Sequence, residues 1–268
     1  MPKLTTKLPS FEGVTAGATA TLRLPIGRTY EKLIISYTGM TLAQMQEIRL
    51  VGNGKTIRRY VGAGLMDVIN KFDRQNAANG LLTLNLSRPG LITKAGREDT
   101  LLGTGVAPTE QWPVTLTTLQ LEIDIDAAAV GPTLSAKAVQ SAPRPLDKVL
   151  KLRRFGYAPS ASGEFEIADL PRGDLINRII FESANITALR IERDNRVIFE
   201  RTKAENEDIQ SNGVRTPQAG YFIYDPTEEG YGSEPLVTAG VQDLRIILTM
   251  SGADQVPVNV EYIGRMER

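Results

Sequence analysis

The chain has 268 residues, 41% of them hydrophobic, and its 31 basic and 31 acidic residues give a formal net charge of zero. It contains neither cysteine nor histidine, which excludes disulfides, thiolate zinc sites and every Ser-His-Asp arrangement. A neutral chain is a poor candidate for wrapping nucleic acid, because phosphate binding requires a basic excess, and no apolar run reaches the ~20 residues of a membrane-spanning helix.

The N-terminal part of the chain predicts an arm and then a strand. Residues 1–14 are polar and punctuated by proline, which is typical of either a free arm or an edge strand, and they lack the apolar segment of a secretory signal. Residues 18–26 alternate between apolar and polar side chains, as a half-buried strand does. Pro25 and Gly27 end this strand, because proline has no amide donor and glycine permits unusual backbone angles.

A strand, a helical turn and a hairpin follow. Residues 32–37 are rich in Leu and Ile, Thr41 and Gln44 have capping-box spacing, and residues 47–51 return to strand. Asn53-Gly54 predicts the hairpin turn, since both residues tolerate positive φ.

The rest of the first half predicts a helix, two strands and a long loop. Residues 64–72 form an amphipathic helix by their apolar spacing, and residues 81–84 and 114–125 are strands. Residues 88–113, with the single tryptophan Trp112, form a loop of the length that serves a function or an interface. Small residues and three prolines between 127 and 147 predict a domain linker, with a helical turn at 134–139.

The second half repeats the first. Aligning Pro25 with Pro171 pairs Gly27 with Gly173 and Thr41 with Thr187 without a gap. The Asn53-Gly54 turn finds its counterpart in Asp194-Asn195, and the strands at 81–84 and 114–125 find theirs at 221–224 and 244–250. We therefore predict an all-β protein of two tandem eight-stranded jelly rolls, which are β-sandwiches, with a short helix in each. The domains are residues 1–128 and 148–268, joined by a linker at 129–147.

Four blocks in the chain resemble a known family. The run LPIGRTYEKLIISYTGMT at residues 24–41 is similar to the major capsid protein of corticoviruses, tailless bacteriophages with an internal membrane. Residues 124–136, 166–172 and 260–264 resemble the same family in the same order, whereas residues 97–112 and 202–213 diverge. The resemblance implies a double-jelly-roll coat protein whose homotrimers have a pseudo-hexagonal outline and tile an icosahedral shell over the membrane.

Three carboxylates form the candidate metal site. Glu122, Asp124 and Asp126 share one face of a strand, and carboxylate oxygens are the ligands that calcium prefers. The resemblance adds that calcium helps to stabilise corticovirus capsids. A solvated strand face is the simpler interpretation, and calcium at a subunit interface is the alternative.

The remaining features give no sign of catalysis. Aromatic residues are only 6% of the chain, too few for the sugar platforms of a glycosidase, and no phosphate-binding loop is present. We expect no enzyme, no catalytic or cofactor-binding residue and no direct contact with nucleic acid. The aromatic run at Tyr221, Phe222 and Tyr224, with Tyr231 nearby, is either ordinary strand alternation or a glycan-binding tip.

The leading hypothesis is therefore a major capsid protein that is assembled in the host cytoplasm and located in the virion. Its predicted partners are its own copies, the other capsid, spike and membrane proteins of the virion, and peripherally the internal membrane, where Lys3 and Lys7 are candidates for contact with lipid headgroups. The alternative is a tandem β-sandwich that binds carbohydrate, as in a phage spike or a cell-surface module.

Overall fold

The computed structural model describes residues 3–75, 79–232 and 234–266. The chain folds into two compact units: unit 1 comprises Met1–Leu152 and Gly264–Arg268, and unit 2 comprises Arg153–Ile263. The described residues are predominantly in strands. None of the described helices has the length and apolar character needed to cross a membrane.

Unit 1 is built from two four-stranded sheets. The first sheet has the order β1-β8-β3-β6 and the second has the order β2-β7-β4-β5, in which Arg58 of the last strand also pairs in parallel with Leu152. Apolar side chains that alternate along β3, β4 and β7 point into the space between the sheets, and Leu33, Ile48 and Leu121 are completely buried there. The strands of unit 1 are β1 (Leu4–Lys7), β2 (Thr19–Arg23), β3 (Thr29–Thr38), β4 (Met45–Gly52), β5 (Lys55–Val61), β6 (Leu81–Asn85), β7 (Leu119–Ile125) and β8 (Thr133–Ser141).

Unit 2 is also built from two four-stranded sheets. The chain leaves unit 1 within β9, and the sheets have the orders β9-β16-β11-β14 and β10-β15-β12-β13. Ile179, Leu189 and Leu248 belong to its buried core. The strands are β9 (Lys148–Tyr157), β10 (Gly163–Ile167), β11 (Leu175–Glu182), β12 (Ile186–Arg193), β13 (Arg196–Thr202), β14 (Tyr221–Tyr224), β15 (Leu244–Met250) and β16 (Val256–Arg265).

The two units have the same strand order. When the strands of each unit are numbered from one to eight along the chain, the first sheet is 1-8-3-6 and the second is 2-7-4-5 in both units. This is the order of a jelly roll with two Greek keys. The prediction of two tandem eight-stranded jelly rolls is confirmed.

Hydrogen bonds at the ends of the strands repeat as well. The amides of Gly27 and Gly173, with φ of 127° and 121°, each donate to a threonine hydroxyl 2.8 Å away, Thr104 in unit 1 and Thr238 in unit 2. Each hydroxyl in turn donates to the carbonyl of the residue that follows the glycine, at 2.6 Å. The duplication therefore reaches individual hydrogen bonds.

The hairpin turns agree in the same way. Asn53 and Asp194 both have φ of 50°, and the side-chain oxygen of each accepts hydrogen bonds from backbone amides just before the seventh strand of its unit. The alignment of Pro25 with Pro171 without a gap fails only at its last pair, Thr41 and Thr187. Thr41 precedes a 3-10 turn (Leu42–Gln44), whereas Thr187 lies within β12. Unit 2 has a shorter connection between its third and fourth strands, so the offset between the units changes there.

Part of the predicted linker is a strand of unit 1. Residues 129–147 contain β8, which pairs with β3 along its whole length and with β1, and the helical turn predicted at 134–139 is part of this strand. Ala136 and Ala138 face the core and are buried. These small side chains fit where the two sheets approach each other closely. Because alanine is only weakly hydrophobic, the alternation of inward and outward residues along β8 is difficult to recognise in the sequence. Consequently unit 1 continues to Leu152 rather than to residue 128.

Each unit has a helix between its fifth and sixth strands, as predicted. These helices are α1 (Ala63–Phe72) in unit 1 and α3 (Lys203–Gln210) in unit 2, and a further short helix, α2 (Lys94–Glu98), lies in the long loop of unit 1. A buried side-chain amide ties each helix to the sixth strand of its unit: Asn70 donates to the carbonyl of Thr83 at 2.8 Å, and Gln210 to that of Ile223 at 2.9 Å. The helices therefore have one structural role in both units.

The N-terminal stretch and the long loop are ordered parts of unit 1. β1 is an edge strand of the first sheet, so the edge-strand alternative holds for Leu4–Lys7, and residues 1–2 of the predicted arm lie outside the described residues. In the long loop, Leu102 is buried and pairs through its backbone with Tyr30. Trp112 is half-buried in a turn that Thr109 closes.

Candidate functional site

The three carboxylates predicted to bind calcium lie at the outer face of the second sheet of unit 1. Glu122 and Asp124 are on β7, and both accept hydrogen bonds from Arg49 on the neighbouring strand β4, at 2.8 and 2.7 Å. Asp126 lies just after β7 and accepts instead from the side chain of Gln46 and from the amide of Ala128. The structure thus brings two of the three carboxylates together, around a guanidinium.

Arg49 is the residue that the sequence analysis missed. Its guanidinium also donates to Glu47 at 2.7 Å, and Arg59 donates to the other oxygen of Glu47. Hydrogen bonding to Arg59 lowers the pKa of Glu47 despite partial burial. Burial by itself raises the pKa of Asp124, but hydrogen bonds from Arg49 and Thr19 outweigh it and the pKa is lowered.

The cluster around Arg49 is therefore an ion network in which two guanidinium groups offset most of the charge of three carboxylates. In the part of the chain that the structure describes, no group of three or more acidic side chains has a geometry that could hold a metal ion. Calcium at Glu122, Asp124 and Asp126 stays a prediction. A calcium ion there would compete with Arg49 for Glu122 and Asp124, two of the three predicted ligands.

Unit 2 has an arginine at the corresponding position. Arg190 is the fifth residue of β12, as Arg49 is the fifth residue of β4. It forms ion pairs with Glu192 at 3.1 Å and with Glu164 at 3.3 Å, and Glu192 also pairs with Arg245 at 3.1 Å. Each roll thus stabilises the outer face of its second sheet with a central arginine.

A second ion network in unit 2 is buried. The Asp225 carboxylate accepts a hydrogen bond from Arg215 at 2.6 Å and lies 3.6 Å from Arg178. Complete burial raises the pKa of Asp225, but the two guanidinium groups outweigh it and the net pKa is lowered. All three residues are at least 97% buried, so this network has a structural role and offers no access to a substrate.

A cleft of about 600 Å³ opens on the outer side of unit 1. Its charged lining residues are Lys3, Glu31, Lys32, Lys94, Arg97 and Glu98. Lys3 is paired with the buried carboxylate of Glu31, so one of the two lysines predicted to meet lipid headgroups already has an internal partner. The two carboxylates of the cleft, Glu31 and Glu98, both pair with Lys3, and its hydroxyl residue, Ser87, has no histidine to activate it because the chain contains none.

The aromatic run in unit 2 follows the strand interpretation. Phe222 and Tyr224 on β14 are almost completely buried, and Tyr224 packs edge-on against Phe199 with the ring centroids 4.9 Å apart. Burial raises the pKa of Tyr224 above its ordinary value. Tyr231 is 51% exposed and stands apart from these core aromatics, so the run does not form a glycan-binding platform.

Two jelly rolls with one strand order define the double-jelly-roll class of protein. The viral coat protein P2 N-terminal domain family matches residues 5–141, and the viral coat protein P2 C-terminal domain family matches residues 149–266. The chain belongs to the viral coat protein P2 family.

One curated relative and several solved structures agree with this assignment. The major capsid protein P2 of Pseudoalteromonas phage PM2 is 29% identical over 273 residues, covering 97% of both chains. The crystal structure of the major capsid protein P2 from bacteriophage PM2 matches with a TM-score of 0.92 and 27% identity, over 100% of this chain and 99% of that one. The STIV MCP is similar in fold alone, with a TM-score of 0.72 and 13% identity over 99% and 97% of the two chains.

The family membership supports the predicted class of function. The relatives are structural coat proteins, so the chain is a coat protein and not an enzyme, and the carbohydrate-binding alternative is not favoured. The family's N-terminal domain extends to residue 141 and includes β8, and its C-terminal domain begins at residue 149, so the family divides the chain between residues 141 and 149.

Proposed function

We propose that this chain is a major capsid protein that forms a homotrimer with a pseudo-hexagonal outline. The observation that carries the proposal is the identical strand order of the two rolls. A trimer of such chains has six similar rolls. Three copies can therefore occupy a lattice position that is surrounded by six neighbouring trimers. The extensive similarity to the major capsid protein P2 of phage PM2 supports the same role.

The finer features of the assembly belong to the same proposal. The trimers tile an icosahedral shell over an internal membrane, and the chain meets other capsid, spike and membrane proteins there after assembly in the host cytoplasm. Direct contact with nucleic acid is not part of the proposal, because the chain has no net basic charge. In such a shell the protein needs large rigid faces, and β-sandwich units with packed cores supply them.

Calcium is retained as a proposal for the assembled protein. Arg49 already occupies oxygen atoms of Glu122 and Asp124 within one chain, so a calcium ion near Asp126 requires further oxygen ligands from a neighbouring copy. We therefore expect a chelator to lower the melting temperature of the trimer and not that of the dissociated chain. Equal melting of the trimer with and without chelator contradicts calcium as a structural ion.

Light scattering of the purified protein tests the trimer directly. The expected mass is three times the 29.3 kDa of the chain. A well-folded protein that remains a monomer over the full range of concentration and salt contradicts the proposal and favours a binding module instead.

A further inference from the structure

The neutral chain is divided into a basic unit and an acidic unit. Unit 1 contains 20 Lys and Arg residues against 13 Asp and Glu residues, a formal charge of +7, and unit 2 contains 11 against 18, a formal charge of −7. Together the two units account for all 31 residues of each sign. The zero net charge of the whole chain therefore conceals a strong polarity between its two rolls.

Part of the basic charge of unit 1 lies on the outer face of its first sheet, where three lysines are close together. Lys7 on β1 lies directly opposite Lys137 on β8, and Lys32 follows on β3. Like charges at paired positions of a sheet are destabilising. None of these three lysines has an ion pair among residues 3–75, 79–232 and 234–266. The arrangement indicates an anionic partner that the single chain does not provide.

The cleft extends this surface, which we call the basic face. The cleft adds Lys3, Lys94 and Arg97 to the basic face. It also contains two acidic residues, Glu31 and Glu98, but the basic residues of the combined surface outnumber them. An acidic partner would find both exposed ammonium groups and a concave site there. The basic face consists of Lys3, Lys7, Lys32, Lys94, Arg97 and Lys137.

A surface of opposite charge lies on the outer side of the second sheet of unit 2, and we call it the acidic face. Glu164 and Glu200 are 60% and 64% exposed, and Glu166 is exposed on β10 without an ion pair in the described chain. Arg190 and Arg245 neutralise only part of this charge. The acidic face consists of Glu164, Glu166, Glu192 and Glu200; the adjoining helix α3 adds Glu205, Glu207 and Asp208 against one basic residue, Lys203.

We infer that the basic face of one copy docks on the acidic face of the next copy. The partner is a second copy of this chain, because the same sequence supplies both charges in equal amount. Such a contact joins two different surfaces and is therefore heterologous. If the rotation from one copy to the next closes after three copies, the result is a ring in which basic and acidic rolls alternate. The inference rests on the proposed trimer and adds to it the electrostatic origin of its contacts.

Salt and paired charge reversal test the inference. Raising the salt from about 0.1 M to about 1 M shortens the Debye length from ~10 Å to ~3 Å, and we expect the trimer to dissociate at least ~10-fold more readily. Lys7→Glu with Lys137→Glu, or Glu164→Lys with Glu166→Lys, should weaken the trimer ~100-fold or more. The quadruple variant that combines both reversals in one chain should recover the trimer, since its two faces are again opposite in charge at every contact.

The matched control is Arg23→Glu with Lys55→Glu. It changes the charge of unit 1 by the same amount on the second sheet, and it should leave the mass of the trimer unchanged. The melting temperature of every variant verifies that the chain has folded.

The outcomes separate the inference from the proposed function. If neither salt nor charge reversal weakens the trimer, the inference is wrong and the proposed trimer is unaffected. If the folded chain never associates, the proposed function is wrong. Flotation with phosphatidylcholine vesicles, with and without phosphatidylserine, covers the remaining possibility. If the reversal at Lys7 and Lys137 abolishes flotation with the acidic vesicles and leaves the trimer intact, the basic face serves the membrane and the inference is wrong.

Discussion

At the scale of single residues, the two rolls use the same few polar groups to fix their strand connections. Thr104 and Thr238 are 1% exposed, and each hydroxyl accepts from a glycine amide while it donates to the next carbonyl. A hydroxyl can serve as donor and acceptor at once, which no apolar side chain of similar size can do. These threonines hold the connection between the second and third strands against the long loop before the seventh strand.

We predict that Thr104→Ala and Thr238→Ala each lower the free energy of unfolding by ~1–3 kcal/mol, because each removes two hydrogen bonds made by the hydroxyl of a buried threonine. Urea denaturation of the two variants measures the loss. Thr104→Ser keeps the hydroxyl and should retain most of the stability. A Thr104→Ala protein as stable as the wild type would show that water replaces the hydroxyl.

Arg49, together with Arg59, determines how the protein responds to acid at this carboxylate cluster. Folding lowers the pKa of Glu47 and of Asp124, so both carboxyl groups stabilise the protein above their unfolded pKa of ~4. This contribution is lost as the pH falls through the lower pKa values of the folded state. The stability of the wild type should therefore decline below about pH 4.

Arg49→Gln removes the guanidinium that both carboxylates contact. We predict lower stability at pH 7 and a smaller further loss in acid than the wild type shows, measured as melting temperature from pH 7 to pH 3. Arg23→Gln, at an exposed position with no ion pair in the described chain, is the control and should follow the wild type. Parallel pH curves for Arg49→Gln and the wild type would contradict the role of Arg49.

At the scale of elements, the strand β8 decides the size of unit 1. It lies between β1 and β3, so without it β1 has no partner in its sheet. Its inward side chains include Ala136 and Ala138, which contribute little apolar area but fit the close approach of the two sheets. The periodic hydrophobicity that revealed β7 is therefore weak in β8, and the flanking prolines suggested a linker.

Proline substitution distinguishes a strand from a linker at this position. Ala138 pairs with Leu33 and with Thr6, and proline there would remove a ladder hydrogen bond and strain the centre of the sheet. We predict that Ala138→Pro lowers the free energy of unfolding by ~3 kcal/mol or more. Ala161→Pro, in the exposed turn between β9 and β10, should change it by less than ~1 kcal/mol. Equal, small effects of the two substitutions would support a linker instead.

At the scale of the whole molecule, the structure is one topology written twice with different surfaces. Both units have the orders 1-8-3-6 and 2-7-4-5, and both place a helix after the fifth strand. The surfaces differ because exposed residues are free to change while the inward positions must stay apolar. Duplication followed by opposite changes of charge explains how one chain can present complementary faces.

Amide hydrogen exchange of the intact chain should reflect this architecture. Strands inside the sheets, such as β3 and β8, have hydrogen-bonded neighbours on both sides and buried side chains. The edge strand β1 has one neighbour and side chains that are mostly exposed. We predict that amides of Leu4–Lys7 exchange at least ~100-fold faster than those of β3, measured by mass spectrometry of the dissociated chain. Equal protection would mean that β1 belongs to the stable centre of unit 1.

The sequence by itself determined the fold class and the duplication, because strand alternation and turn residues such as Asn53 and Asp194 are local properties that pairwise comparison of the two halves reveals. It also identified the outward row of Glu122 and Asp124. Only the tertiary structure decided that Arg49 occupies the centre of that row, since the partner lies on another strand. The pairing of Lys7 with Lys137 was hidden for the same reason. Register between distant strands depends on how the sheets close, and spacing along the chain does not fix it.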